Sequence, residues 1–115
     1  MFNQLSKECH AANAHFWHDI NTGELIERNK GEMLMLMVSE LSEAMEGERK
    51  NLMDTHLPHR KMVEVEFADV LLRLFDYAGA YGLDLDGAFE EKREYNKTRQ
   101  DHSKEARQAI NGKKW

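Results

Sequence analysis

Residues 29–50 read NKGEMLMLMVSELSEAMEGERK, and within them Leu34, Val38, Leu41 and Met45 fall at spacings of three and four. That repeat is the mark of an apolar stripe on an α-helix. The same rule holds on either side. Upstream, Leu5, Cys9, Ala12, Phe16 and Ile20 mark a helix over about Asn3 to Ile20; downstream, Val63, Phe67, Val70, Leu74, Ala78 and Tyr81 mark one over about Arg60 to Tyr81. After Gly82, Asp84 or Asp86 can cap a fourth helix that runs to about Arg99. Breakers at Asn21-Thr22-Gly23, Asn51 to Pro58, Gly82 and Gly112 separate these pieces, and no segment alternates with period two for long enough to form a strand. The expected fold is all-α, a bundle of four helices. Met33 and Leu36 lie off the Leu34 stripe, on the side that also carries Glu40 and Glu43, so apolar surface extends around more than one face of the second helix. Association with another copy of the chain is the expected way to cover it.

With 115 residues, the chain is expected to form a single domain, 1–115, with one hydrophobic core. Its 41% apolar content and ten aromatic residues argue against disorder despite 32% charged positions. The single cysteine, Cys9, permits no internal disulfide and no multi-cysteine metal site, which suits a reducing cytoplasm. The longest apolar run, Met33 to Val38, is far short of the ~20 residues that span a bilayer, and the N-terminus lacks the pattern of a secretory signal. A cytoplasmic protein without membrane partners is therefore expected. The net charge of -5 is poor for nucleic-acid binding. Charge is uneven, however: from Lys97 to Trp115 there are six Lys or Arg and two acids, Asp101 and Glu105. This basic tail, about 100–115, reads either as a solvated terminus or as a cover for an anionic ligand.

Two acid motifs stand out on the drawn helices. Glu40-Leu41-Ser42-Glu43 is Glu-x-x-Glu, and Glu66-Phe67-Ala68-Asp69 is Glu-x-x-Asp. Residues three apart share a helix face, and a short connection makes the two helices antiparallel neighbours, so all four carboxylates can meet at one site. Such a group would repel itself without a hard divalent cation, and oxygen-only ligands select Mg²⁺, or Mn²⁺ in its place. A di-iron bundle would want Glu-x-x-His on two helices, whereas positions 43 and 69 are Glu and Asp. Ordinary surface ion pairs are the competing explanation, since Asp69 has Arg73 and Glu46 has Lys50 four residues on. On the fourth helix Lys92, Asn96 and Arg99 place two cations and an amide on one face, suited to phosphate. Acids for a metal and a basic face for phosphate are the halves of a phosphoanhydride-cleaving site.

Met37-Val38-Ser39-Glu40-Leu41-Ser42-Glu43-Ala44, then Glu66-Phe67-Ala68-Asp69-Val70-Leu71, then Lys92-x-x-x-Asn96 with Arg99, resemble the MazG-like all-α nucleoside triphosphate pyrophosphohydrolases. The resemblance covers a core of about 29–99, and the ending Gly112-Lys113-Lys114-Trp115 is similar to small phage-type or mobile-element members of that group. It implies Mg²⁺-dependent hydrolysis of a nucleoside or deoxynucleoside triphosphate between the α and β phosphates, giving monophosphate and pyrophosphate, in nucleotide-pool housekeeping. Glu40, Glu43, Glu66 and Asp69 would be the metal ligands and catalytic carboxylates, Glu43 aligning or deprotonating the attacking water. Lys92 and Arg99 would hold phosphate oxygens, and Asn96 the sugar or a phosphate. The chain would be a homodimer or homotetramer. In relatives, aromatic and histidine side chains near the first helix enclose the base; the nearest cluster here is His15-Phe16-Trp17-His18, with Trp17 and His15 as candidates. For Trp17 core packing is the competing role, and for His15 and His18 surface exposure. His56, His59 and His102 have no partner at metal-ligand spacing. Some relatives place a tyrosine four residues after the Glu-x-x-Asp aspartate, where this chain has Arg73. The alternative function is a non-catalytic helical module that oligomerises through Met33 and Leu36, or senses nucleotides without cleaving them.

Overall fold

Asn29 starts the second helix with a side-chain cap: its Oδ1 accepts a hydrogen bond from the Glu32 N–H at 2.9 Å, satisfying one of the free donors of the first turn. In the computed structural model, which describes residues 1–99 and 103–115, the elements are α1 (Phe2–Ala12), a 3-10 turn (Ala14–Trp17), α2 (Lys30–Lys50), α3 (Met62–Ala80), α4 (Leu85–Thr98) and α5 (Lys104–Gln108). The fold is all-α. Among the described residues extended pairing is limited to two isolated antiparallel bridges, His18 with Leu25 and Met53 with Lys61. The elements form two compact units, Met1–Leu83 and Asp84–Trp115. Asp101 and His102 lie outside the described residues.

In the first unit α2 ends at Asn51, whose left-handed backbone (φ 52°) lets the Leu52 N–H reach back to the Gly47 carbonyl at 2.9 Å. The following turn is held by Asp54, a buried carboxylate that accepts from the His56 and Leu57 N–H groups at 2.9 and 2.7 Å. This connection returns the chain, so α3 runs antiparallel beside α2. Gly47 brings the two close: a β-carbon there would come within 2.8 Å of the Met62 β-carbon. On its other side α3 packs on α1. A β-carbon at Gly79 would collide with the Ser6 carbonyl, and the Phe2 ring stacks on Phe75 with centroids 6.0 Å apart. Small residues at these crossings set the helix spacing.

Three expectations are corrected. The first helix stops at Ala12, not near Ile20, because Trp17 turns inward to bond Asp76; Ile20 is fully solvent-facing. The face of α2 is inverted relative to its apolar stripe. Met33, Ala44 and Gly47 are buried, whereas Leu34, Val38, Leu41 and Met45 are about half exposed, as is Phe67 on α3. Met33, at 6% exposure, is core and cannot mediate association between copies. The four expected helices are joined by a fifth: α5 lies in the tail, capped by Ser103 Oγ, which accepts from the Ala106 N–H at 3.1 Å. In the second unit α4 is capped by Asp84, whose Oδ1 accepts from the Gly87 N–H at 3.0 Å, as the sequence suggested. Among the described residues no helix is long and apolar enough to cross a membrane.

Candidate metal centre

The antiparallel pairing of α2 with α3 sets the Glu-x-x-Glu face of one against the Glu-x-x-Asp face of the other. Glu40, Glu43 and Glu66 each offer a carboxylate oxygen, and the three oxygens lie within 4.8 Å of one another. The carboxylates differ in setting. Glu66 is only 7% exposed, Glu40 is half-buried and Glu43 is open to solvent. Glu66 Oε2 is buried with no hydrogen-bond partner among the described residues. An unpartnered buried carboxylate oxygen is costly and calls for an explanation such as an ion. Burial pushes the Glu66 carboxyl up to about 8, with Glu40 and Glu43 adding to the rise. Asp69 stands one turn along α3, outside this three-oxygen group. Its carboxyl is also raised, by burial and then by Glu40, with Arg73 opposing.

The three converging carboxylates are all-oxygen and hard, the donor chemistry of Mg²⁺ or Mn²⁺, and the orphaned Glu66 oxygen is where a cation would satisfy the site. Arg73 does not pair with Asp69. Its Nε and Nη2 both donate to Glu40 Oε1, at 3.1 and 3.0 Å, holding that carboxylate in place. Beside the centre opens a cleft of about 470 Å³, with Asn13, Phe16, Arg28, Glu40, Asp69, Arg73 and Asp76 among its walls. This is the size range of small-molecule sites.

Of the base-pocket candidates, Trp17 is 4% exposed and its Nε1–H donates to both Asp76 oxygens, at 3.0 and 3.1 Å, so it sits in the core. His15 is exposed against Phe16, their ring centroids 4.0 Å apart. His18 is exposed too, its Nδ1 2.7 Å from the Ala14 carbonyl. In the second unit Lys92 and Arg99 both approach the Tyr95 ring, at 4.8 and 5.9 Å from its centroid, and Asn96 Oδ1 is buried without a hydrogen-bond partner among the described residues. The sequence reading missed Arg28, His10 and Asp76. Arg28 sits in a loop, where periodicity carries no signal, and Asp76 is a lone acid in no motif, whose partners His10 and Trp17 are more than 50 positions away. Comparison of the chain with models of known families, with curated proteins and with solved structures gives no match.

Proposed function

We propose that the protein is a Mg²⁺-dependent nucleoside triphosphate pyrophosphohydrolase, cleaving a nucleoside or deoxynucleoside triphosphate between the α and β phosphates. The observation that carries this reading is the convergence of Glu40, Glu43 and Glu66 around an unpartnered buried oxygen, at the edge of a nucleotide-sized cleft. A hard divalent cation held by these carboxylates, with Asp69 beside them, would neutralise charge on the phosphate oxygens. The chain's own groups supply the rest. Glu43, the solvent-open member, would accept the proton of a water attacking one phosphorus of the α–β anhydride. The bridging P–O bond breaks, leaving monophosphate and pyrophosphate. Glu66 and Glu40 are held rigidly, one by burial and one by Arg73, which keeps the geometry fixed. For Lys92, Asn96 and Arg99 as phosphate and sugar partners, the reading rests on the motif resemblance alone.

The exposed stripe Leu34, Val38, Leu41 and Met45, with Phe67 and Leu71 on α3, supports a homo-oligomer in which a second copy covers it. Val38→Asp should then lower the solution mass towards the 13.5 kDa of one chain. The function is tested by incubating the protein with each common ribo- and deoxyribonucleoside triphosphate, with Mg²⁺ or with chelator. Monophosphate plus pyrophosphate, lost with chelator, is the expected outcome. Orthophosphate release, or no turnover of any nucleotide, would contradict it.

A further inference from the structure

Among the described residues, one cation of the cleft makes no ion pair, although Asp69 and Asp76 also line it. Arg73 is committed to Glu40, but among the described residues no carboxylate pairs with Arg28. Arg28 is nonetheless held in place. The Ile26 N–H donates to the Trp17 carbonyl at 2.8 Å, tying the loop that carries Arg28 to the 3-10 turn, and Asn29 begins α2 immediately after. Its guanidinium carbon lies over the Trp17 ring, 5.3 Å from the centroid. That indole is fixed on every side the structure describes. Its N–H is held by Asp76, which also lies 2.8 Å from His10 Nδ1, and the rings of His10 and Tyr81 meet it edge-on at 5.2 and 5.9 Å. A guanidinium over a fixed aromatic face keeps its in-plane N–H donors for another partner, and those donors match the oxygens of an oxyanion.

We infer that Arg28 is an anion-binding residue of this cleft, donating to phosphate oxygens of a ligand that reaches from the carboxylate centre along the cleft. The nature of the anion rests on the hydrolase reading. The readiness of Arg28 rests on its own geometry, and the buried Asp76 gains a purpose as the group that locks the indole beneath it. A free carboxylate ligand would fit Arg28 alone. A polyphosphate fits both Arg28 and the cation expected at Glu40, Glu43 and Glu66, which share this region of the molecule.

The test uses the full chain carrying Trp115→Phe, so that emission reports Trp17 alone, and inorganic tripolyphosphate as the probe. Mn²⁺ alone is titrated first, into this protein and into its Arg28→Ala variant; tripolyphosphate follows, with and without the metal. Equal Mn²⁺ binding by the two proteins, a change in Trp17 emission with tripolyphosphate, and at least tenfold weaker tripolyphosphate binding by Arg28→Ala are expected. Arg28→Lys, which keeps the charge but loses the fork, should recover less than half of that loss on a logarithmic scale. Equal affinity in the parent and Arg28→Ala, or no tripolyphosphate binding by the parent in either condition, would overturn the inference. Failure to bind Mn²⁺ would instead overturn the hydrolase reading, and Arg28 would then be judged by the same tenfold criterion without metal.

Discussion

Two acids on α3, Glu66 and Asp76, are equally buried, each 7% exposed, yet the molecule treats them in opposite ways. Asp76 is met by donors: the Trp17 N–H reaches both of its oxygens and His10 Nδ1 one. Glu66 is met by two more carboxylates, Glu40 and Glu43, and keeps an oxygen with no hydrogen-bond partner among the described residues. A buried carboxylate surrounded by donors is a structural fastening, because its bonds are complete within the fold. One surrounded by other acids is complete only when a proton or a cation joins it. The comparison distinguishes the two readings that an acidic residue on a helix allows: Asp76 fits the fastening, and Glu66 with Glu40 and Glu43 fits the metal site proposed above.

The largest expected effect follows from removing a carboxylate of the proposed site, or Asp69 beside it. Glu40→Gln or Asp69→Asn should lower turnover of the preferred nucleotide by roughly 100-fold or more while the helical circular dichroism persists. Substantial activity in either variant would count against the assigned carboxylates. Next comes the fastening. Asp76→Ala leaves the buried Trp17 N–H without its acceptor and should cost ~3 kcal/mol of stability in urea unfolding. A loss no larger than that of an exposed-surface substitution would show that Asp76 is not a fastening.

A smaller effect sharpens the contrast through pH. In the metal-free protein the folded Glu66 carboxyl titrates near 8 against an ordinary value of 4.5, so the folded state keeps a proton that the unfolded chain gives up. The protonated form's contribution is therefore full below pH 4.5, declines as pH rises, and is gone above about 8. Glu66→Gln, neutral throughout, should remove that decline and leave the metal-free protein about 2 kcal/mol more stable than wild type at pH 8.5. Parallel stability profiles for the two proteins between pH 5 and 8.5 would contradict the assignment.

Only the Glu66 side of this contrast was legible in the sequence. Asp84, one of two cap candidates with Asp86, does start α4, and the spacing of Glu40, Glu43 and Glu66 on two antiparallel helices sufficed to bring them together. What escaped reading depended on helix packing rather than on pattern. The most apolar stripe of α2 was expected to face the core, but the close approach of α2 to α3 selects the small Ala44 and Gly47 and leaves Leu34, Val38, Leu41 and Met45 outward. The end of α1 was set by a contact between residues 59 positions apart, Trp17 and Asp76, which no local repeat encodes. Asp69 had the right spacing for the metal group but stands a turn beyond the three oxygens that converge.

The central claim, that Glu66 and its two acidic neighbours await a cation, is tested most directly by Mn²⁺ binding followed by electron paramagnetic resonance in the wild type and in Glu66→Gln and Asp76→Asn. The account predicts saturable binding by the wild type, its loss in Glu66→Gln, and its retention in Asp76→Asn. Absence of binding in the wild type, or equal binding by the wild type and Glu66→Gln, would contradict it.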